Sequence, residues 1–328
     1  PPILAQQAAN IGGEYGRFVV PKFDHTYYFN PGVMALNGKR YLVARKFWMD
    51  YVQYWNFRSW ASIMEIHDDM TLGKERILTY NQRDPRESIE DPRVAMGGGK
   101  PLIGVCAWVP PVQHIRSETP KIVIHQSALR LNDDMEVTEI WDPEYGGNSP
   151  DLHYGTGHEK NWLWFEYDGK PHFVYSTEPH LVCEWDPAAR KVTREHRTFS
   201  AMGWTLGTIR GGTPPVRMGD YYVSFFHSSM PWKRTPKYGV RRIYFMGAYV
   251  FEAKPPFQVV ASTRTNDRIL TGTWNEPVAE GVPAVVYPNG ALLDWDNSWF
   301  ITLGVNDCGC GWLRLPHAAL EARLTPCA

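Results

Sequence analysis

Helical periodicity is almost absent from this chain. Only His317 to Arg323 spaces its apolar residues like a turn or two of helix, and 26 prolines with 28 glycines cut the rest into short pieces, which leaves an all-β fold. No apolar run is long enough to span a bilayer, and the first ten residues lack a basic stretch followed by an apolar one. The chain therefore reads as soluble, with no membrane partner. An excess of one charge is also missing: 34 basic residues face 35 acidic ones, for a formal net charge of -1 without long runs of either sign. Nucleic acid is excluded as an expected partner, because neutralising phosphates requires a basic face. Cysteines are few, odd in number and scattered: Cys106, Cys183, Cys308, Cys310 and Cys327. Cys308-Gly309-Cys310 is too tight for a zinc knuckle and has no second pair. These thiols read as reduced, which points to a cytoplasmic protein with no metal and no cofactor.

What the chain does hold is apolar and aromatic. Hydrophobic residues make up 43% and charged residues 21% of its 328 positions, enough to build a packed core. Aromatic residues reach 14%, with 14 tryptophans and 17 tyrosines. Aromatic faces stack on the C–H face of a pyranose, and aromatic residues are also good strand formers that fill cores, so composition leaves both uses open.

One pattern recurs: a turn residue, then an alternating apolar strand that ends in polar groups. Its copies begin at Gly38, Gly99, Gly169, Gly219 and Asn297, and run to Arg45, Cys106, Ser176, His227 and Gly304. Units of roughly 50 to 80 residues accommodate a four-stranded blade with its loops. Five copies predict a five-bladed β-propeller occupying residues 1–328 as one domain, with short terminal extensions. A β-sandwich built from the same strands does not explain five units of similar length. In a propeller, the blade ends converge on a central funnel, so polar residues far apart in sequence meet there.

The residues suited to chemistry fall at such blade ends. Glu90-Asp91-Pro92-Arg93 sets two carboxylates beside a rigid proline and a guanidinium, an arrangement that holds one acid at a fixed angle. A solvated turn accounts equally well for the tetrapeptide alone. The other units carry Tyr28-Phe29-Asn30-Pro31-Gly32 with Arg45, then His158-Glu159-Lys160-Asn161-Trp162, and Tyr175-Ser176-Thr177-Glu178. Arg210-Gly211-Gly212-Thr213-Pro214-Pro215 with His227, Tyr287-Pro288-Asn289-Gly290 and Gly304-Val305-Asn306-Asp307 complete the set.

In that order, from about Asn30 to Asp307, these motifs resemble the β-mannoside phosphorylases and hydrolases of glycoside hydrolase family 130. Tyr244 to Phe257 is similar to the end of that family's fourth blade. The resemblance implies a five-bladed propeller that cleaves or transfers a β-mannoside-like glycosyl group by single displacement. It implies Asp91 as the general acid, Asn30, Arg45, Arg93 and Asp307 as sugar-orienting groups, and Lys160 and His227 near the leaving or attacking group. The implied partner is an oligosaccharide or glycoside, with phosphate or a sugar nucleotide as a second reactant.

The chain departs from the phosphorylases where they carry arginines for phosphate: it reads Tyr175-Ser176-Thr177-Glu178 and His125-Gln126-Ser127. Glu159 or Glu178 then becomes the base that activates water in an inverting hydrolysis, and Arg210 takes over a phosphate or the diphosphate of a sugar nucleotide. Hydrolysis or glycosyl transfer is favoured over phosphorolysis on these grounds. Two other readings stand beside this one. One is a non-catalytic propeller that binds glycans or a protein through its aromatic residues. The other is a furanosidase-type propeller with three separated carboxylates, for which Asp24 is the only near candidate on the first blade.

Overall fold

The computed structural model describes residues 2–49, 57–80, 87–108, 124–145, 159–235, 239–274 and 283–328. The Asn81–Arg86 run and His158 lie outside the described residues. The described residues form five sheets of antiparallel strands. The first sheet runs Thr26–Leu36, Lys39–Met49, Phe57–Ile66, Arg76–Ile77, and the second Ser88–Gly97, Lys100–Trp108, Ile124–Leu131, Val137–Trp141. The third runs Leu163–Tyr167, Lys170–Ser176, His180–Asp186, Lys191–Thr198. In the fourth, Arg210–Gly211 and Val216–Met218 pair with successive parts of the long strand Tyr221–Thr235. Gly239–Glu252, Val259–Thr263, Leu270–Thr271 and the near-terminal Leu324–Pro326 complete it. The fifth is Val286–Leu293, Ser298–Val305 and Gly309–Pro316, with Glu14–Arg17 from the other end of the chain as its outer strand.

Each recurring turn-and-strand copy is the second strand of one sheet. The glycine opening a copy follows from its turn. Leu36 pairs with Lys39, leaving Asn37 and Gly38 as a two-residue loop in which both φ angles are positive. That is the type I′ hairpin, whose twist matches the strands it joins. Asp168-Gly169 and Gly98-Gly99 repeat the arrangement.

Alternation along the copies explains how the sheets associate. Leu42 packs into a cluster shared with Phe300 and Trp312 of the fifth sheet, whereas Val43, pointing the other way, packs with Ile103 and Val105 of the second. Leu102 and Ile103, Phe173 and Val174, Phe225 and Phe226, and Phe300 and Ile301 likewise divide between two clusters. A period of two sends successive side chains to opposite faces, so each sheet buries both faces against different neighbours. The clusters join first to second sheet, second to third, third to fourth, fourth to fifth and fifth to first, which closes a ring.

Helix is more frequent than the sequence predicts. His317–Glu321 is helical as expected, but so is Ile3–Asn10, where Leu4 and Ala8 are buried against the fourth and fifth sheets beside Leu320. Two apolar positions four apart in an eight-residue segment give too weak a periodic signal to read alone.

Candidate functional site

A cavity of about 530 Å³ opens where the sheets converge, and every sheet contributes to its lining. Asn30 and Asp91 come from the first strands of the first two sheets, Lys160 and Asn161 from the approach to the third. The fourth supplies Arg210, His227, Arg242 and Tyr244, and the fifth Tyr287 and Asp307.

Local backbone chemistry aims the two central side chains. Between Phe29 and Gly32, and again between Glu90 and Arg93, the strand ladder slips, which leaves Asn30-Pro31 and Asp91-Pro92 as paired bulges. Proline has no N–H to lose from the ladder, and Asn and Asp tolerate the left-handed region better than other side chains. Asn30 and Asp91 occupy that region at φ 46° and 51°. The Asn30 amide donates to Asp91 Oδ1 at 2.7 Å. Neighbouring strands come close to fix this pair: Asn289 Nδ2 donates to the carbonyls of both Asn30 and Pro92, at 2.7 and 2.8 Å. Gly304 is required because a Cβ there would collide with Asn30 Oδ1.

Arg93 lies beneath the cavity rather than in its lining, so its expected contact with sugar is replaced by a supporting role. It is 1% exposed and donates to Gly212 O at 2.8 Å, Asn161 Oδ1 at 2.9 Å and Asp91 O at 3.2 Å. Its Nη2 also donates to the Tyr287 hydroxyl, which donates in turn to Asn161 Oδ1 at 2.8 Å and lies 3.2 Å from Asp91 Oδ2. On the open side, Arg45 pairs with Glu90 at 2.6 Å and approaches Asp91 at 3.8 Å, while Lys160 pairs with the other Glu90 oxygen at 3.2 Å.

Charge decides the state of Asp91. Burial pushes its carboxyl up, but Arg45, Arg93 and Lys160, with the Asn30 amide, outweigh burial and hold it below the usual carboxylate range. In the empty cavity Asp91 is therefore an ionised carboxylate. Asp307 goes the other way: enclosure raises it most, Arg45 opposes, and Asp91 and Glu90 add to the rise, which takes it to about 6. Its side chain lines the cavity but is exposed, which moderates the rise, and it makes no ion pair with a described residue. Burial, with Arg93 and Arg210 next, keeps His227 well below its ordinary value, hence neutral.

A raised carboxyl in the fold means that the ionised form is disfavoured there relative to the unfolded chain. Replacing Asp307 with asparagine is therefore expected to raise Tm at pH 7.5. The gain is fully present above about pH 6 and fades as pH falls through the folded value toward the unfolded one near 3.8, below which both states carry the proton. Melting curves across that range check the sign.

Seven residues expected at the site line this cavity together: Asn30, Arg45, Asp91, Lys160, Arg210, His227 and Asp307. Glu159 and Glu178 do not. The Glu159 side chain is turned into the junction of the second and third sheets, where it accepts from Trp162 Nε1 at 3.2 Å and Tyr175 OH at 3.3 Å. Glu178 borders a separate depression with Phe199 and Ala201. Ser176, read as replacing a phosphate ligand, donates to Pro179 O at 2.6 Å. Asp24 is exposed and outside the lining.

Sequence reasoning missed Arg242 and Tyr244 as site residues. They sit two apart on Gly239–Glu252, and their spacing is the only signal of a shared face. Among the described residues Arg242 is held by Ser229, through Nε to Oγ at 3.0 Å and Nη2 to the carbonyl at 2.8 Å.

No family model matches the chain, and no curated protein matches it in sequence. Solved structures do. A β-1,2-mannobiose phosphorylase from Listeria innocua, in complex with β-1,2-mannobiose, is 15% identical, with a TM-score of 0.63 over 93% of this chain and 94% of that one. A structure from the GH130 family of mannoside phosphorylases, which contains glycoside hydrolases that target β-1,2 mannosidic linkages in Candida mannan, is 14% identical. Its TM-score is 0.61 over 93% and 94% of the two chains. A GDP-Man-dependent mannosyltransferase from Leishmania mexicana is 12% identical, with a TM-score of 0.59 over 92% and 89%. At these identities the likeness is one of fold, and the chain has the fold of these mannoside phosphorylase and mannosyltransferase structures.

Proposed function

We propose that the five sheets are the blades of a single propeller domain, and that its central cavity moves a β-mannoside-like glycosyl group between a sugar hydroxyl and a phosphoryl oxygen. The observation that carries this reading is the uneven charge of the lining. Glu90 engages Arg45 and Lys160, whereas Arg242, anchored by Ser229, faces the cavity beside neutral His227 and Tyr244, and Arg210 adds a second guanidinium to the same wall. Guanidinium groups so placed suit the oxygens of phosphate or of a diphosphate ester. The carboxylates expected to activate water, Glu159 and Glu178, lie elsewhere. That weakens the case for hydrolysis over phosphorolysis.

The reaction in the degradative direction is a single displacement. A phosphoryl oxygen attacks the anomeric carbon, the glycosidic C–O bond breaks, and the leaving oxygen takes a proton that originates on Asp91. The configuration inverts, and Asp91 ends as a carboxylate. Its lowered pKa fits the reverse, synthetic direction, where it starts as the base. Entry of an anion beside it adds negative charge, which raises its pKa toward that of a working acid. Asn30 and Tyr287 orient it. Neighbours in fold include a phosphorylase and a nucleotide-sugar-dependent transferase, which supports mannoside chemistry with a phosphoryl partner.

Hydrolysis is the second reading, favoured by one observation: Asp307 is a cavity carboxylate without an ion-pair partner among the described residues and is pushed up to about 6, as a base for water requires. Incubating β-1,2-mannobiose with water alone, with inorganic phosphate, and, in the synthetic direction, a nucleoside diphosphate sugar with mannose separates the cases. The proposal expects turnover only where a phosphoryl group is supplied. Equal release of mannose in water alone would overturn it.

A further inference from the structure

The fourth sheet carries the two longest strands among the described residues, Tyr221–Thr235 and Gly239–Glu252. Their pairing continues past the cavity-lining Tyr244 and Arg242 to Thr235 and Gly239, so the hairpin overreaches the site. Where it passes Arg242, the ladder slips between Pro231 and Lys233, and Trp232 is the residue left over. A bulge turns its side chain out of register, and Trp232 is 64% exposed. Its ring lies 6.1 Å from that of Trp274, tilted by 40°.

Trp274 is tied to the cavity from two sides. Two residues before it, the Gly272 N–H donates to the carbonyl of Tyr244 at 2.8 Å. One residue before it, the carbonyl of Thr273 accepts from Asn306 Nδ2 at 3.0 Å, and Asn306 adjoins Asp307. The tryptophan pair therefore sits on chain segments hydrogen-bonded to the residues that carry Arg242, Tyr244 and Asp307.

We infer that Trp232 and Trp274 form a platform on which a sugar ring remote from the reacting bond stacks, so that the site takes glycans longer than a disaccharide. This rests on the mannoside reading above. Indole faces offer a large, rigid apolar surface at little entropic loss, the C–H face of a pyranose is its complement, and the pair adjoins the strand segment whose Arg242 and Tyr244 line the cavity. Trp232 is the leftover residue of the bulge and is not among the described lining residues, so its replacement is expected to leave the ladder and the lining intact.

The test is calorimetric binding of β-1,2-linked mannobiose and mannotetraose to the full chain carrying Asp91→Asn, with and without Trp232→Ala. The platform predicts that Trp232→Ala weakens tetraose binding by about 10-fold or more. Disaccharide binding should be unchanged. Equal tetraose affinity in the two proteins would overturn the platform while leaving the function reading standing. A dimer lost on Trp232→Ala, with tetraose affinity unchanged, would overturn it too and assign the pair to a self-interface. If neither glycan binds, the mannoside reading fails and the platform with it.

Discussion

Asp91→Asn is expected to lower turnover of a natural glycan by on the order of 10²- to 10⁴-fold, the range for loss of a placed proton donor. The substitution is close to isosteric, and its Oδ1 still accepts from Asn30. What disappears is the proton, together with a negative charge set among Arg45, Arg93 and Lys160. Because those cations hold the native carboxyl below its unfolded value, the charge stabilises the fold above the unfolded pKa, and that contribution is lost as pH falls through the folded one. Asp91→Asn should therefore melt at a lower temperature than the wild type at pH 7, with a smaller difference at acid pH, while its circular dichroism spectrum is unchanged. An aryl mannoside with a good leaving group needs little protonation and should retain much of its rate. Full activity of the variant on a disaccharide would remove Asp91 from the mechanism.

The second large effect is expected at Arg242. Truncation to alanine takes one guanidinium from the wall assigned to the phosphoryl group and should reduce kcat/KM for the phosphate-dependent reaction by on the order of 10²- to 10³-fold, as loss of a preorganised charge-stabilising donor does. Arg242→Lys should recover only part of it, because an ammonium lacks the planar fork that grips two oxygens. Affinity for the disaccharide itself should change little. If Arg242→Ala instead weakens sugar binding and leaves the phosphate dependence alone, the wall serves the glycan and the phosphoryl assignment falls. Arg210→Ala serves as the parallel measurement from the other side of His227.

The repeating unit was legible because hairpin turns leave a strong local mark. Asn37-Gly38 and Asp168-Gly169 require left-handed backbone, and the alternating strands after them expose the unit length. The closure of the ring was not legible. Glu14–Arg17 and Leu324–Pro326 are only four and three residues long, and their partners lie almost a chain length away or in another unit, so no local pattern marks them. The first strand of the fourth sheet is split into Arg210–Gly211 and Val216–Met218, each too short for a period to register.

The same contrast runs through the site. Asn30-Pro31 and Asp91-Pro92 could be found because a proline after a short polar residue is unusual inside a strand and signals the bulge that aims the side chain. Glu159 was misplaced by proximity to Lys160: next to a residue that reaches the cavity, it turns instead toward Trp162 and Tyr175. Arg242 stands in a strand whose neighbour Arg241 is also basic, and only the observed register with Pro231 and the Ser229 anchor tells which arginine faces inward. Chemistry that depends on which face of a long strand is buried needs the third dimension.

The most direct test of the account is turnover of β-1,2-mannobiose in ¹⁸O-labelled water with unlabelled inorganic phosphate, the products read by mass spectrometry and ³¹P NMR. Transfer to a phosphoryl oxygen predicts a mannose 1-phosphate with no label at the anomeric oxygen. Two equivalents of free mannose per mannobiose, with no mannose 1-phosphate formed, would mean that water is the nucleophile and would contradict it.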